Sequence, residues 1–478
     1  MSYISLEYYL LVVAALIIYY ILPAGKRWIA LLLGSAAFYC LVSADKVKLC
    51  LFISTIILSY LGALYIERVT ERRQKLLILW CTIILTAVPL LLFKGRAFLP
   101  FSGLKNTSLI VPVGLSFYTL QIIAYLADVY RGKTKAQRDP FKYALFISFF
   151  PQIIQGPIPR YEQLGEQLFR GNSFRLENIV RGCQLITWGF FLKLMIADKA
   201  AVAVNEIFDN YKMYAGTYVW VAGILYSLQL YTDFLSCTTI AQGVAGLFGI
   251  KIADNFHHPY FAVSVQDFWR RWHMSLSSWL KDYVYIPLGG SRAGKLRKYI
   301  NLFLTFLVSG FWHGEGYQFI FWGILHACYQ IFGALTVKRR DRLYESLSMP
   351  KGTFAWKLYR TTGTCFWVMI AWIIFRAEGL RAGLHMIRSM FTVYNPWILL
   401  NGALNSIMPY QQWELLAAAL LVLFAVSRVQ EKMSVRDWIA RQHITIRWGL
   451  ALGCIAVIVI FGTYGFGYDA QAFIYGGF

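Results

Sequence analysis

Long hydrophobic runs, separated by short polar stretches, form the dominant pattern along this chain. The clearest runs are Tyr8–Leu22, Leu49–Ile66, Leu76–Phe93, Gln318–Val337, Phe366–Phe375 with its flanks, and Trp448–Tyr464. A helix needs about 20 apolar residues to cross the hydrocarbon core of a bilayer. Counted in this way, the runs predict an all-α integral membrane protein with about 11 to 13 membrane-spanning helices.

The composition excludes a soluble globular protein. Hydrophobic residues make up 58% of the 478 residues and charged residues 15%, whereas about a quarter of the residues in an ordinary domain are charged. The first apolar run has no Lys or Arg before it, and Lys26 and Arg27 follow it. A signal peptide has the opposite polarity, so we expect this run to be a retained membrane span.

The charge pattern predicts the topology. A net charge of +22 would suggest nucleic acid in a soluble protein, but the basic residues here lie mainly in loops. The positive-inside rule and the anionic inner leaflet account for such loops, so we expect no nucleic-acid partner. The basic loops Glu67–Lys75, Arg131–Lys142 and Arg428–Arg447 are then cytoplasmic, which places both chain termini on the outer face. Lys46 and Lys48 would lie outside, against the rule.

Other sequence features argue against a subdivided or metal-dependent protein. The eight cysteines are scattered singly and form no CxxC motif, so we infer no disulfide framework, zinc site or redox function. No internal repeat or low-complexity tract is evident. We therefore expect one polytopic membrane domain over residues 1–478, with no metal.

A proline-rich segment interrupts the pattern of apolar runs. The stretch Ser148–Gln163 is apolar but contains Pro151, Pro157 and Pro159, which cannot all be accommodated in one straight helix. Irregular backbone at membrane depth is tolerated only inside protein or beside a water-filled cavity. We expect a broken or re-entrant element that lines a cavity; the alternative is a surface loop that lies on the bilayer.

Aromatic and basic residues alternate in the stretch Asp267–Tyr299. This pattern predicts an amphipathic helix in the membrane interface, followed by a turn at PLGGSRAGK. The basic residues could also bind an anionic, phosphate-bearing donor, and the sequence does not separate these interpretations. The glycine-rich piece is not a Walker motif, so ATP is not indicated.

Histidines in apolar surroundings are the main candidates for chemistry. His313 lies between two apolar runs, where ionisable residues are rare and tend to be functional. Histidine is also the usual proton acceptor near neutral pH. Three other histidines are interpreted as satisfied packing residues: His326, His385 and His443. Two more, His257 and His258 in the stretch NFHHPY, are interpreted as turn residues.

Several of these stretches resemble a known family. The motifs are VGLSFYTLQ, SFFPQIIQGPIPRY, LQLYTDF, LFGI, NFHHPY, DFWRRWHMSLSSWLKDYVYIPLGG and SGFWHG. They extend over residues 111–330 and are similar to those of membrane-bound O-acyltransferases (MBOATs), in the bacterial polysaccharide branch of AlgI, PatA and DltB. The resemblance implies an MBOAT fold in a bacterial cell membrane, with re-entrant and interfacial helices around a membrane-crossing tunnel.

The resemblance also implies a catalytic pair. The WHG histidine of the family corresponds to His313, and a second polar residue, often Asn, Asp or His, corresponds to His273, which lies 40 residues upstream. His313 would take the proton of the acceptor hydroxyl, while His273 would orient the acceptor or stabilise the oxyanion. No Ser–His–Asp nucleophile elbow is visible.

Further residues are candidates for the tunnel or the donor site. They are Arg270, Arg271, Asp233 and Trp312. One departure from the family pattern follows LQLYTDF, where Leu235–Gly243 reads LSCTTIAQG. An Asp that is usual in this branch is absent near Thr239, which leaves the details of acceptor or donor fit open.

The chain ends in FIYGGF, within the tail at residues 465–478. This ending resembles a short aromatic motif found at the C-terminus of some polysaccharide MBOATs, with Phe473, Tyr475 and Phe478 in the corresponding places. The resemblance implies that the Tyr475 hydroxyl carries the acyl group from His313 to an extracellular partner. The alternative is an aromatic anchor at the membrane interface.

Three functions remain in competition at this stage. The first is transfer of an acyl group, expected to be acetyl, from acyl-CoA to a cell-surface polysaccharide, with an extracellular SGNH-type partner, membrane lipid around the protein and no bound cofactor. The second is D-alanyl transfer to teichoic acid, for which an in-chain tail is unusual. The third is a non-catalytic glycan transporter, which would not depend on His313 or Tyr475.

Overall fold

The computed structural model describes residues 2–43, 45–95, 112–292 and 294–464. Its first helices are α1 (Leu6–Ile21), α2 (Arg27–Val42), α3 (Lys46–Arg68), α4 (Arg72–Gly95), α5 (Leu115–Tyr130), α6 (Pro140–Ser148), α7 (Tyr161–Arg170) and α8 (Leu176–Phe190). The middle of the chain forms α9 (Asp198–Asp209), α10 (Thr217–Leu247), α11 (Val265–Arg271), α12 (Met274–Leu280), α13 (Lys295–His313) and α14 (Tyr317–Leu335). The last helices are α15 (Val337–Ser346), α16 (Phe354–Arg376), α17 (Leu380–Thr392), α18 (Tyr410–Gln430), α19 (Val435–Ala440) and α20 (Ile444–Phe461).

The predicted all-α membrane fold is confirmed. Within the described ranges the chain forms no β-strand, and eight helical segments are long and apolar enough to cross a membrane. They are Ala24–Val42, Lys46–Arg68, Arg72–Gly95, Leu176–Asp209, Tyr317–Leu335, Phe354–Arg376, Tyr410–Gln430 and Ile444–Phe461. Helix α1 is apolar but shorter, and the 31-residue α10 carries polar side chains such as Gln229 and Asp233. Polar residues inside long helices therefore explain part of the difference from the predicted number of spans.

Local sequence signals begin several of these helices. Asp45 accepts a hydrogen bond from the backbone N–H of Val47 at the start of α3. The side chain of Asp139 accepts hydrogen bonds from backbone N–H groups in the first turn of α6, where Pro140 occupies the first position. A short polar side chain satisfies amide groups that have no partner within the helix, and proline is tolerated at the first position because its missing N–H is not needed there.

The described chain divides into two compact units. The first comprises residues 2–190 and 236–254, and the second comprises residues 191–235 and 255–464. The expectation of one polytopic domain stays a prediction. The candidate catalytic histidines, His273 and His313, both belong to the second unit.

In the first unit, the proline-rich segment breaks the helical pattern as predicted. Helix α6 ends at Ser148, and residues 149–160 form turns and extended backbone before α7. Phe149 and Phe150 are fully buried, and the Phe150 carbonyl accepts a hydrogen bond from the Tyr3 hydroxyl. The segment is therefore not a surface loop that lies on the bilayer. That it lines a cavity stays a prediction.

In the second unit, two glycines bring helices α13 and α14 into close backbone contact. A Cβ atom on Gly310 of α13 would collide with the backbone oxygen of Phe319, and one on Gly323 of α14 would collide with the backbone oxygen of Phe306. Small residues allow helix backbones to approach closely in membranes. This contact fixes the position of His313, the last residue of α13.

Gly323→Ala is expected to lower the thermal stability of the protein, because the added methyl group meets backbone rather than a flexible side chain. Overpacking of this kind costs about 1–3 kcal/mol. The measurement is the unfolding midpoint of the purified protein in detergent. Gly333→Ala on the same helix is the control, because no atom lies within 4 Å of its added Cβ. Equal midpoints for the two variants would contradict the proposed close contact.

Candidate active site

His313 ends helix α13 with its side chain buried, at 2% exposure. Its Nδ1 lies 2.6 Å from the backbone oxygen of Ser309, one turn earlier. A carbonyl oxygen can only accept a hydrogen bond, so Nδ1–H is the donor. In the neutral imidazole the lone pair is then on Nε2. His313 can therefore act as a proton acceptor through Nε2.

His273 joins the short helices α11 and α12 and is fully buried. Its Nδ1 lies 3.3 Å from Oδ1 of Asn255, which also accepts hydrogen bonds from the backbone N–H and the hydroxyl of Ser275. Because a backbone N–H only donates, this atom of Asn255 is the amide oxygen, and His273 donates to it through Nδ1–H. Nε2 of neutral His273 is thus also a proton acceptor.

The backbone of His273 is left-handed, with φ of 43°. This conformation is uncommon for residues other than glycine and costs on the order of 1 kcal/mol or more. Part of the compensation comes from Asn255, whose backbone oxygen accepts from the Met274 N–H at 2.9 Å. Burial holds the pKa of His273 well below its ordinary value, and the charge of His313 acts in the same direction. His273 is therefore neutral at physiological pH.

Trp312 lies against both histidines. Its indole ring centroid is 4.9 Å from the ring of His313 and 6.1 Å from the ring of His273. The ring of Phe234, on α10, packs edge-on against His273 at 4.7 Å. The structure therefore brings together three of the residues that the sequence singled out, although His273 and His313 are 40 positions apart.

The stretch Asp267–Tyr299 is not one interfacial helix, so this part of the sequence prediction is wrong. The left-handed residue His273 separates α11 from α12, and a π-helical turn follows at Lys281–Tyr285. The hydrogen bonds to Asn255 hold His273 and Ser275 in the interior. Within the stretch PLGGSRAGK, residues 287–292 form the predicted turn before α13.

The basic and acidic candidates lie in different surroundings. Arg270 is exposed, and the Nε atom of Arg271 lies 3.1 Å from Oδ1 of Asp267. Asp233 is buried, and its Oδ1 is 2.7 Å from the Nζ atom of Lys193. Lys193 also lies 2.9 Å from Asp198, so Asp233 belongs to a buried ion cluster. A role for these residues in a tunnel or donor site stays a prediction.

Of the remaining histidines, His326 is fully buried. Its Nδ1 accepts a hydrogen bond of 3.1 Å from the indole N–H of Trp269. The ring packs among aromatic side chains as expected, but its buried Nε2 atom has no hydrogen-bond partner among the described residues, so only one of the two ring nitrogens is satisfied. The spacing of four residues between Trp322 and His326 places the two side chains on one face of α14, but it does not indicate their hydrogen bonds.

The turn predicted at the NFHHPY pair is present in the structure. His258 has a left-handed backbone with φ of 47° and precedes a 3-10 turn at Pro259–Phe261, as expected for the NFHHPY turn. His385 and His443 are exposed, so their interpretation as packing residues is wrong. The tail residues Phe473, Tyr475 and Phe478 lie outside the described residues, so the relay motif stays a prediction.

Comparisons with known proteins show the family to which the chain belongs. The family model described as "MBOAT, membrane-bound O-acyltransferase family" matches residues 46–374, which include both histidines. The chain is 35% identical over 402 residues to the "Peptidoglycan O-acetyltransferase" of Helicobacter pylori, a match that covers 76% of this chain and 73% of the relative.

Two other groups of relatives are similar to the chain. It is 36% identical to the "Probable alginate O-acetylase AlgI" of Pseudomonas putida, over 61% of this chain and 58% of that protein. It is 32% identical to the "Teichoic acid D-alanyltransferase" of Bacillus subtilis, over 52% of this chain and 67% of that protein. From the extent of the family match and of the Helicobacter match, the chain belongs to the membrane-bound O-acyltransferase family of multi-pass membrane acyltransferases.

Proposed function

We propose that this protein transfers an acyl group, expected to be acetyl, from a cytoplasmic thioester to an acceptor used for O-acylation of a cell-surface polysaccharide. The observation that carries the proposal is the arrangement of His313 and His273. Both are buried beside Trp312, and each donates through Nδ1–H, so that each presents Nε2 as a proton acceptor. Acyl transfer to a hydroxyl needs such a base.

The two histidines have different tasks in the proposed reaction. His313 takes the proton of the acceptor hydroxyl as its oxygen attacks the thioester carbonyl carbon, and returns a proton to the departing thiolate. His273 accepts a hydrogen bond from the acceptor and orients it. Neutral His273 has no proton on Nε2, which argues against the oxyanion-stabilising role that the sequence left open.

The names of the relatives support an acetyl group and a glycan. The relative named as an alginate O-acetylase is 36% identical to this chain, and the one named as a peptidoglycan O-acetyltransferase is 35% identical. The relative named as a D-alanyltransferase is 32% identical. We expect acetyl-CoA as donor, an SGNH-type partner on the outer face and a bacterial cytoplasmic membrane location with both termini outside. The D-alanyl alternative requires a different donor, and the test below separates the two.

Tyr475 is proposed as the first acceptor of the acyl group. The support is the sequence FIYGGF, which resembles the C-terminal motif of related acyltransferases. A phenol has a pKa near 10, so its attack on a thioester would need the base that His313 provides. An extracellular partner would then take the acyl group from the tyrosine ester to the glycan.

The test is mass spectrometry of the C-terminal peptide after incubation of the purified protein with isotope-labelled acetyl-CoA. We expect a labelled acetyl group on Tyr475 in the wild type and none in His313→Ala. Label in neither protein, together with label in membranes supplied with a D-alanine donor system, would favour D-alanyl transfer. Equal glycan modification in cells with either protein would favour a transporter.

A further inference from the structure

Several buried polar atoms near His313, among them Nε1 of Trp372, have no hydrogen-bond partner among the described residues, and two of them belong to the helix that packs against α13. These two are the indole Nε1–H of Trp322 and the imidazole Nε2 atom of His326, both on helix α14. Both side chains are fully buried. A buried donor without a partner destabilises the protein, so two donors of this kind on one helix point to an acceptor atom that binds there.

The hydrogen bond from Trp269 defines the tautomer of His326. The indole N–H of Trp269 only donates, and it lies 3.1 Å from Nδ1 of His326. Nδ1 must therefore carry the lone pair, and the proton of the neutral imidazole is on Nε2. His326 thus presents a donor, whereas His313 and His273 present acceptors.

The two donors lie beside the proposed base. The Trp322 ring centroid is 4.8 Å from the His313 ring and 4.9 Å from the His326 ring, so both imidazoles contact the same indole. Close packing of α13 against α14 at Gly310 and Gly323 holds this arrangement. Fixed N–H donors beside a base can stabilise an oxyanion during acyl transfer, and packing places these two side chains next to His313.

We propose that Trp322 and His326 donate hydrogen bonds to the thioester carbonyl oxygen and to the oxyanion that forms from it. This inference rests on the proposed function. The acceptor oxygen forms a bond to the carbonyl carbon, the carbonyl π pair moves to the oxygen, and His313 takes the hydroxyl proton. When the C=O bond re-forms, the C–S bond breaks and the thiolate takes the proton from His313, which leaves an ester and a free thiol.

The experiment measures the initial rate of ester-bound label in inverted membrane vesicles from a producing host, as a function of labelled acetyl-CoA concentration. His326→Phe removes the donor and keeps an aromatic ring. Loss of one oxyanion donor typically lowers kcat by about 10²- to 10³-fold. We expect that fall in kcat, with KM for acetyl-CoA changed by less than about threefold because the bond strengthens in the transition state. His326→Gln, which keeps an N–H donor, is expected to recover part of the rate.

Trp269→Phe is a second variant at this hydrogen bond. It removes the Trp269–His326 hydrogen bond that fixes the tautomer of His326, but it keeps the imidazole, which can still carry its proton on Nε2 in part of the molecules. We therefore expect kcat to fall in Trp269→Phe, but by less than in His326→Phe. A fall as large as that in His326→Phe would show that His326 acts only through its structure and would overturn the inference, as would a His326→Phe enzyme of unchanged kcat. Failure of the proposed function itself would be seen in the wild type, as no ester-bound label from acetyl-CoA.

Discussion

Replacing His313 with alanine is expected to lower the rate of acyl transfer by about 10²- to 10⁴-fold, the usual contribution of a positioned general base. The fall should appear in kcat because the lost interaction is the proton transfer itself. The physical basis is the Nδ1–H bond to the Ser309 carbonyl, which leaves Nε2 as the acceptor. The measurement is ester-bound acetate in the envelope polysaccharide, released by mild alkali from cells that carry only the variant.

His385→Ala is the control for this substitution, since His385 is exposed on α17. It should retain the wild-type ester content. The amount of each protein in the membrane fraction must be compared, because loss of His313 also removes ring contacts with Trp322 and Phe375. Normal ester content in cells with a normally produced His313→Ala protein would exclude His313 as the base.

Replacing Lys193 with methionine is expected to destabilise the protein strongly. Lys193 contacts the carboxylates of both Asp198 and Asp233, and all three side chains are at most 2% exposed. Removing one partner of a buried ion pair costs about 3–5 kcal/mol, because the remaining charges lose their compensation inside the protein. We therefore expect a large fall in the unfolding midpoint in detergent, or loss of the protein from the membrane fraction.

The control is the triple variant Lys193→Met, Asp198→Asn and Asp233→Asn, which removes the opposing charges as well. Replacing all the charges of a buried cluster with neutral groups of similar size costs less stability than removing one charge and leaving the others uncompensated. The triple variant should therefore be more stable than Lys193→Met alone. A triple variant that is no more stable than the single one would show that charge compensation does not govern the stability of this cluster.

The membrane-spanning helices could be predicted because their signal is local. The run Leu49–Ile66 lies within α3, and the run Gln318–Val337 largely coincides with α14. Length and hydrophobicity are sufficient for such helices, since the bilayer requires apolar surface and internal backbone hydrogen bonds. The stretch around His273 could not be predicted in this way, because hydrogen bonds to the distant Asn255 determine its backbone.

The candidate site was predictable only in part. The WHG motif identified His313, and the family resemblance identified His273. His326 was assigned to packing because one histidine in an apolar helix carries no signal of its hydrogen bonds. Its unpartnered Nε2 depends on Trp269, which is 57 residues away in the sequence. Side-chain tautomers follow from three-dimensional contacts, and spacing along the chain does not contain them.

The left-handed backbone at His273 also restricts which residues natural selection can accept at this position. Among residues other than glycine, Asn, Asp and His are enriched at positive φ. These are the three types that the resemblance implies for the second polar residue of the family. Glycine would relieve the backbone strain and would remove the imidazole. Selection for thermostability alone would therefore favour glycine at position 273. Selection for activity would accept only Asn, Asp or His, because these three residue types tolerate the left-handed backbone and also supply a polar side chain.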